Sequence, residues 1–372
     1  MRLPEKIRRV LEKTVNRLKK KKNIYGIGLF GSWSRGDATA SSDVDLLILD
    51  NRNFNCEFVE RLETSGLFID LNYIPRNWIH RQFPPEIDQK FYEMQILYDR
   101  DWSLANTKLL MNNFYSSLER LDIRTEARIV DSDIYLSRAT SAFAREDFKS
   151  AQLFAVLALE SALKILVEIA CEPFSNSRFI EKLELSANKL NMAHFFNSYL
   201  EIAKLGKANN NGVKEKLKLF KNVWNEAKIA VQKNPNVLRE CHFKVRTKLD
   251  YYLNPAFLRG AMRRAAGLVD SGKTVEASHS LNMMLIDILE NYVWFKSLMN
   301  NIKVDYTTLI RSLKTLEKKT SKNYRDILRS LNLAAIEKTG AAETIERVRD
   351  SILKIRKKRK GLIKKLGERA II

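Results

Sequence analysis

Short strand-like segments within the first hundred residues, followed by three- and four-residue apolar spacing almost to the end, most limit the fold of this 372-residue chain. Ile7, Val10, Leu11, Val15 and Leu18 recur at helical spacing behind Pro4, which suits a first helical turn. Residues 24–30, 44–49, 67–74 and 95–98 are short, apolar and strand-like, and residues 54–62 read as a helix. The mixed pattern stops near residue 105. Beyond it, residues 132–171 and 256–299 each read as two antiparallel helices, with turns at Glu146-Asp147 and Ser271-Gly272 and the two hairpins forming a possible repeat. Residues 208–216 (ANNNGVKEK) read as a loop, and 320–372 as basic helix. Only 13 glycines and 7 prolines are present, too few for a turn-rich all-β chain. The expected class is α+β, a small N-terminal sheet with helices followed by a long all-α region. The expected segments are a domain over 1–105, a helical domain over 106–300 and a basic helical region over 301–372.

The formal net charge of +21 speaks to partners, not to fold. Residues 301–372 hold 20 Lys/Arg against 8 Asp/Glu, and residues 17–22 read RLKKKK. The run 356–360 (RKKRK) has the density to neutralise several phosphates, but no interleaved aromatics with which to stack on bases. An RNA partner held by its backbone is the expected use. Cys56, Cys171 and Cys241 are far apart, as suits a reducing compartment, and the four histidines have no zinc spacing. Apolar runs such as 153–159 are too short to span a bilayer and no secretory signal is visible, so a cytoplasmic protein without membrane insertion is expected.

The chemistry concentrates in residues 30–49, FGSWSRGDATASSDVDLLIL. In a strand, Asp43 and Asp45 project to one face, about 6–7 Å apart. Two such carboxylates repel unless a cation lies between them. Oxygen ligands without His or Cys suit Mg²⁺ or Mn²⁺, and two metals roughly 3.5–4 Å apart are within reach of such a set. Asp70 stands inside an apolar strand, where an unpartnered carboxylate is costly. On a neighbouring strand it would join the other two as a metal ligand and as acceptor of a proton from an attacking hydroxyl. Gly31 lets backbone approach a ligand, and Ser32 adds a hydroxyl to the amides of the turn. Arg35, one helical turn on, is a candidate phosphate contact or a solvated helix residue. Ser42 is a candidate on the nucleotide side or a cap that orients Asp43. Glu160, four residues before Lys164, reads as a helix-surface pair or as a base toward an acceptor hydroxyl.

The spacing Phe30-Gly31-Ser32, ten residues, Asp43-Val44-Asp45-Leu46 and then Ile69-Asp70-Leu71 resembles the polymerase-β-like nucleotidyltransferase superfamily. The Ser34-Arg35-Gly36-Asp37 and Ser42-Asp43-Val44-Asp45-Leu46-Leu47 segments look most like its minimal branch, which includes antibiotic nucleotidyltransferases and protein-AMPylating antitoxins. The resemblance covers about residues 24–100. It implies Mg²⁺- or Mn²⁺-dependent transfer of a nucleoside monophosphate from an NTP, ATP or CTP, with release of pyrophosphate. Asp43, Asp45 and Asp70 would be the catalytic and metal-binding acids.

Residues 131–200, with Arg138-Ala139, Glu146-Asp147, Ala151, Ala158, Glu160 and Lys164, resemble HEPN-type helical domains and the helical half of kanamycin-type enzymes. The HEPN nuclease motif, an arginine and a later histidine with four to six residues between them, is missing: Arg76 and His80 are too close, as are Arg239 and His242. A substrate-binding or dimerising role is implied instead. The net charge favours RNA as acceptor, ahead of a protein hydroxyl, with a cationic small molecule third and a non-catalytic RNA-binding module last.

Overall fold

The computed structural model describes residues 3–80, 83–303, 305–316 and 322–369. In chain order its elements begin α1 (Glu5–Leu18), β1 (Ile24–Phe30), α2 (Ser32–Arg35), β2 (Val44–Asp50), β3 (Phe58–Thr64), β4 (Leu67–Pro75), α3 (Asp88–Glu93), β5 (Gln95–Asp99) and α4 (Ser103–Phe114). Helices follow: α5 (Leu118–Ala144), α6 (Phe148–Ile169), α7 (Phe179–Lys189), α8 (Ala193–Ile202), α9 (Asn210–Lys233), α10 (Pro235–Glu240), α11 (Phe243–Tyr252) and α12 (Pro255–Asp270). The last are α13 (Thr274–Met299), α14 (Leu309–Leu316), α15 (Lys322–Ser330) and α16 (Lys338–Arg369). A small mixed sheet with helices is thus followed by a long helical region.

The chain forms two compact units whose limits differ from the three sequence segments. One gathers the chain up to Ser116 together with His242–Gly267; the other gathers Ser117–Cys241 together with the chain from Leu268 on. Composition changes at 105, but a tertiary return of residues 242–267 has no local signature. The expected repeat hairpin over 256–299 is affected by the same return, since α12 through Gly267 belongs to the first unit and α13 to the second.

In the first unit the sheet order is β3-β4-β2-β1-β5, with β2 and β4 parallel and the other pairs antiparallel. Side chains alternate across each strand. Val44, Leu46, Ile48, Ile69, Leu71 and Tyr73 meet the apolar stripe of α1 on one face. Leu47, Leu49 and Ile74 meet Phe91, Met94, Leu104 and Met111 on the other. Asp45 shares that second face, at the end of β2 where apolar cover stops. Residues 58–64, which fall within and just beyond the stretch read as helix, are strand: FVERLET pairs antiparallel with β4. Ser65 (φ 54°) and Gly66 (φ 72°) close this hairpin with left-handed backbone at both central positions. The Ser-Gly dipeptide is the local signal for it.

In the second unit, α6 is packed by α5 and α16 and is buried along most of its length. It is also long and apolar enough, by length and composition alone, to cross a membrane, contrary to the run-length reading; Glu160 and Lys164 interrupt the apolar run without lowering its average much. Asp147 accepts from the Ser150 amide and caps α6, while its other oxygen takes the Ser150 hydroxyl (2.6 Å) and the Arg311 amide (3.2 Å). The asparagine-rich stretch 208–216 is mostly the start of α9, with Asn209 as N-cap to Gly212 (2.9 Å) and not a loop. Residues 320–321 and 370–372 of the expected C-terminal helix lie outside the described residues.

Candidate active site

β1 ends at Phe30, and the chain turns at Gly31 (φ 75°, ψ −158°) into the single turn of α2. A Cβ at Gly31 would lie 2.6 Å from Asp45 Oδ2, so only glycine lets this turn press against that carboxylate. Ser32 is half-buried at the first helical position. The turn is anchored by Glu93 at the end of α3. Its Oε1 accepts from the Gly31 amide (2.7 Å), and its Oε2 accepts from Arg35 (2.8 Å) and Gln89 (3.1 Å). Arg35 also pairs with Asp37 (3.3 Å). The Ser42 hydroxyl accepts from the Thr39 amide (2.8 Å) and so holds the loop leading to Asp43.

Strand register assembles the acids. Asp45 lies opposite Asp70 across the parallel β2–β4 pair, and Asp70 lies opposite Arg61 across β3–β4. Asp43 precedes β2 by one residue and shares Asp45's side. Arg61, only 4% exposed, donates through Nε to Asp70 Oδ1 (2.6 Å) and through a terminal nitrogen to Asp70 Oδ2 (2.6 Å) and to Asp43 Oδ2. Tyr251 on α11 donates to Asp70 Oδ2 (3.0 Å), and Arg264 on α12 pairs with Asp43 Oδ2. The Arg61 guanidinium lies within 6 Å of the rings of Phe68, Tyr251 and Phe257. α12 approaches it at Gly260, where a Cβ would lie 2.7 Å from the guanidinium.

The charges are strongly coupled. Burial, then Asp70 and Asp43, push the Asp45 carboxyl up to about 8 against the opposing pull of Arg264 and Arg61. Burial works against the charge on Arg61, but Asp70, Tyr251 and Asp43 outweigh it and hold the guanidinium above its ordinary range. Burial and the Asp70 charge keep the Tyr251 phenol protonated far above its usual value.

These donors bear on the expected metal set. Asp70 has both oxygens engaged, and among the described residues no group of three or more His, Cys, Asp and Glu is arranged to hold a metal. Arg61 sits where a three-acid cluster would need a cation. Asp43 Oδ1, by contrast, is buried without a hydrogen-bond partner, and burial and charge alone set the state of Asp45. The unpartnered Asp43 Oδ1 and the adjacent Asp45 carboxyl, a hard oxygen donor once ionised, fit an Mg²⁺ or Mn²⁺ ion whose remaining ligands would be phosphate and water.

Sequence reasoning missed Arg61, Glu93, Tyr251, Gly260 and Arg264. The hairpin signal around Ser65-Gly66 would have placed Arg61. Nothing local marks Arg264, 221 residues from its partner. The basic run also differs from a solvated stripe: Arg359 is buried and pairs with Asp122 (2.9 Å) and Glu126 (2.7 Å), and Arg356 pairs with Asp133 (2.6 Å). Glu160 is not on a helix surface. It is buried against Lys164 (3.0 Å), Tyr199 (3.2 Å) and His279 (3.3 Å).

A strand-turn-helix with glycine and serine at the turn, one aspartate just before and one within the next strand, and a third in register beside them, defines a nucleotidyltransferase domain. The family model described as "Nucleotidyltransferase domain" matches residues 11–99. The chain is also 34% identical over 90 residues to a protein of Methanocaldococcus jannaschii named "Putative protein adenylyltransferase MJ1379", covering 22% of this chain and 88% of that relative. The chain belongs to the nucleotidyltransferase family and is an enzyme of that class. A solved nucleotidyltransferase-like protein from Exiguobacterium sibiricum is similar over 70% of this chain and 90% of its own, at 12% identity and a TM-score of 0.30.

Proposed function

We propose that this enzyme transfers an adenylyl group from a metal-bound ATP to a hydroxyl of a protein, releasing pyrophosphate. The observation that carries the reading is Asp43 Oδ1, buried without a hydrogen-bond partner, beside Asp45, whose carboxylate is pressed against Gly31. Asp43 Oδ1 and Asp45 would hold Mg²⁺ or Mn²⁺, which supplies charge neutralisation at the phosphates when bound. Ser32 and the first amides of α2 face the phosphates, with Gly31 setting their approach; Arg35 acts through Glu93, and Ser42 through the loop that carries Asp43. Asp70 fixes Arg61 between the acids. Its Oδ2 already accepts from Arg61 and Tyr251, so Oδ1, which takes Arg61 Nε, has the second lone pair with which to accept the hydrogen of an incoming hydroxyl.

The choice of a protein acceptor and of ATP rests on the printed description of the archaeal relative. The net charge of +21 favours the second reading, an RNA acceptor. Against it, the densest basic run commits Arg356 and Arg359 to internal pairs. A cytoplasmic setting accords with three cysteines that stand far apart in the chain.

The test is incubation of the protein with ATP or CTP labelled at the α-phosphate, Mg²⁺ and a cell lysate, with and without ribonuclease. Label from ATP in a ribonuclease-resistant protein band is expected, and Asp43→Ala with Asp45→Ala should abolish it. Label in RNA would replace the protein reading by the second one. No label in any fraction would overturn both.

A further inference from the structure

Asp43 is held unevenly. Both guanidiniums at the site, Arg61 and Arg264, converge on Oδ2, whereas Oδ1 is buried with no partner. The two arginines are not equivalent. The Arg61 side chain is 1% exposed, bonded to Asp70 as well, ringed by three aromatic side chains and covered by Gly260. The Arg264 side chain is 25% exposed and reaches Asp43 from one helical turn beyond the buried Gly260 and Ala261. Its charge also acts on Asp45. Arg264 is therefore the less enclosed of the two cations on Asp43, while Arg61 is a fixed part of the wall.

We propose that Arg264 is a triphosphate-binding residue that rests on Asp43 in the free enzyme and moves to the phosphates when metal and nucleotide enter together. The inference rests on the nucleotidyl-transfer reading of the site and adds to it a residue outside the matched domain. A guanidinium on Asp43 and a divalent cation on the same carboxylate repel each other, so Arg264 opposes uptake of the metal alone. A metal-bound triphosphate still carries net negative charge, and a guanidinium binds phosphate oxygens in a bidentate manner. Once nucleotide is present, the displaced Arg264 gains a partner as good as the one it lost. Metal and nucleotide uptake are thereby coupled, and Arg264 has opposite effects on the two when they are measured apart.

That opposition is the test. Mn²⁺ binding to the full-length protein is measured by the loss of the free-ion paramagnetic signal, first without nucleotide. Binding of a non-hydrolysable ATP analogue is then measured by calorimetry at saturating Mn²⁺. In Arg264→Met, Mn²⁺ alone should bind about tenfold tighter and the analogue about tenfold weaker, the scale of one charge-assisted hydrogen bond. Arg264→Lys should recover part of the analogue affinity, and Arg259→Met, on the same helix at the exposed Glu63 pair, should leave both values unchanged. If Arg264→Met weakens both affinities, or moves neither, the exchange is wrong; should Arg264→Met fail to fold, Arg264→Lys and Arg264→Gln are read by the same two numbers. If the unaltered protein takes up neither Mn²⁺ nor the analogue, the nucleotidyl-transfer reading itself falls and takes this inference with it.

Discussion

Gly31 and Asp45 are in contact across adjacent strands so closely that one methyl group could not fit between them: a Cβ on Gly31 would lie 2.6 Å from Asp45 Oδ2. The Gly31 backbone also has φ near 75°, a conformation L-residues rarely adopt. Gly31→Ala should therefore cost stability of about 1–3 kcal/mol from strain and push Asp45 from its place. Transfer activity should fall about a hundredfold or more, the scale expected for misplacing a group by about 1 Å. Thermal melting and the label-transfer assay check the two halves separately. A melting temperature unchanged from wild type would show that the turn relaxes without strain.

Arg61 neutralises two buried carboxylates, and its removal would leave Asp43 and Asp70 without their principal cation. Breaking a buried pair from one side costs about 3–5 kcal/mol, so Arg61→Met should lower the denaturation midpoint of the first unit sharply. Arg61→Lys should not restore it, because one ammonium cannot reproduce the fork that joins Nε and a terminal nitrogen to Asp70. Urea denaturation followed by tryptophan fluorescence measures this. Full recovery with lysine would mean that charge alone matters there.

Much of this architecture is legible in the amino-acid sequence, and the part that is not has a common cause. β1, β2 and β4 are largely apolar because they lie inside the sheet, and such runs announce themselves. Edge strand β3 alternates Glu60, Arg61, Leu62 and Glu63, and with one half-buried face it reads locally as helix. The convergence of Asp43, Asp45 and Asp70 follows from a two-residue spacing and from an acid inside an apolar strand, both local signals. Arg61, Tyr251 and Arg264 answer those acids from other elements, two of them from a segment that returns to the sheet after more than a hundred residues of helix. Local periodicity identifies α11 and α12 as helices but cannot say which unit they complete.

Lys216 should make stability depend on pH in the alkaline range. Its ammonium is buried against neutral acceptors, Asn282 Oδ1 (2.8 Å) and the Ser330 carbonyl, and burial lowers its pKa from 10.5 to about 8. Between about 8 and 10.5 the folded state binds fewer protons than the unfolded state, so this residue adds stability as pH rises through that window. Below pH 8 its burial penalty is fully present. The difference in unfolding free energy between wild type and Lys216→Met should therefore shift toward wild type from pH 8 to pH 10, which isolates this group from tyrosines titrating in the same range. A difference flat in pH would mean that Lys216 stays charged in the fold.

The basic run at 356–360 should divide into two functional halves when mutated. Arg359 is 5% exposed, bridges Asp122 and Glu126, and donates to the Thr125 hydroxyl (2.9 Å), fastening α16 to α5. Arg356 reaches Asp133 with one terminal nitrogen shared between both carboxylate oxygens, but at an exposed site where such a pair contributes about 0–1 kcal/mol. Lys357, Lys358 and Lys360 are exposed. Arg359→Ala should destabilise the second unit by about 1–3 kcal/mol through unmade charge-assisted hydrogen bonds, while Lys357, Lys358 and Lys360 replaced together by serine should stay within about 0.5 kcal/mol of wild type. If this helix holds a polyanion, the triple serine variant should also bind RNA with a shallower dependence on salt, because three fewer phosphates are neutralised. A filter-binding titration at several salt concentrations, run beside the melts, reads both effects. A salt slope unchanged by the triple substitution would leave α16 a purely structural helix, its Arg356 and Arg359 accounted for by the acids of α5.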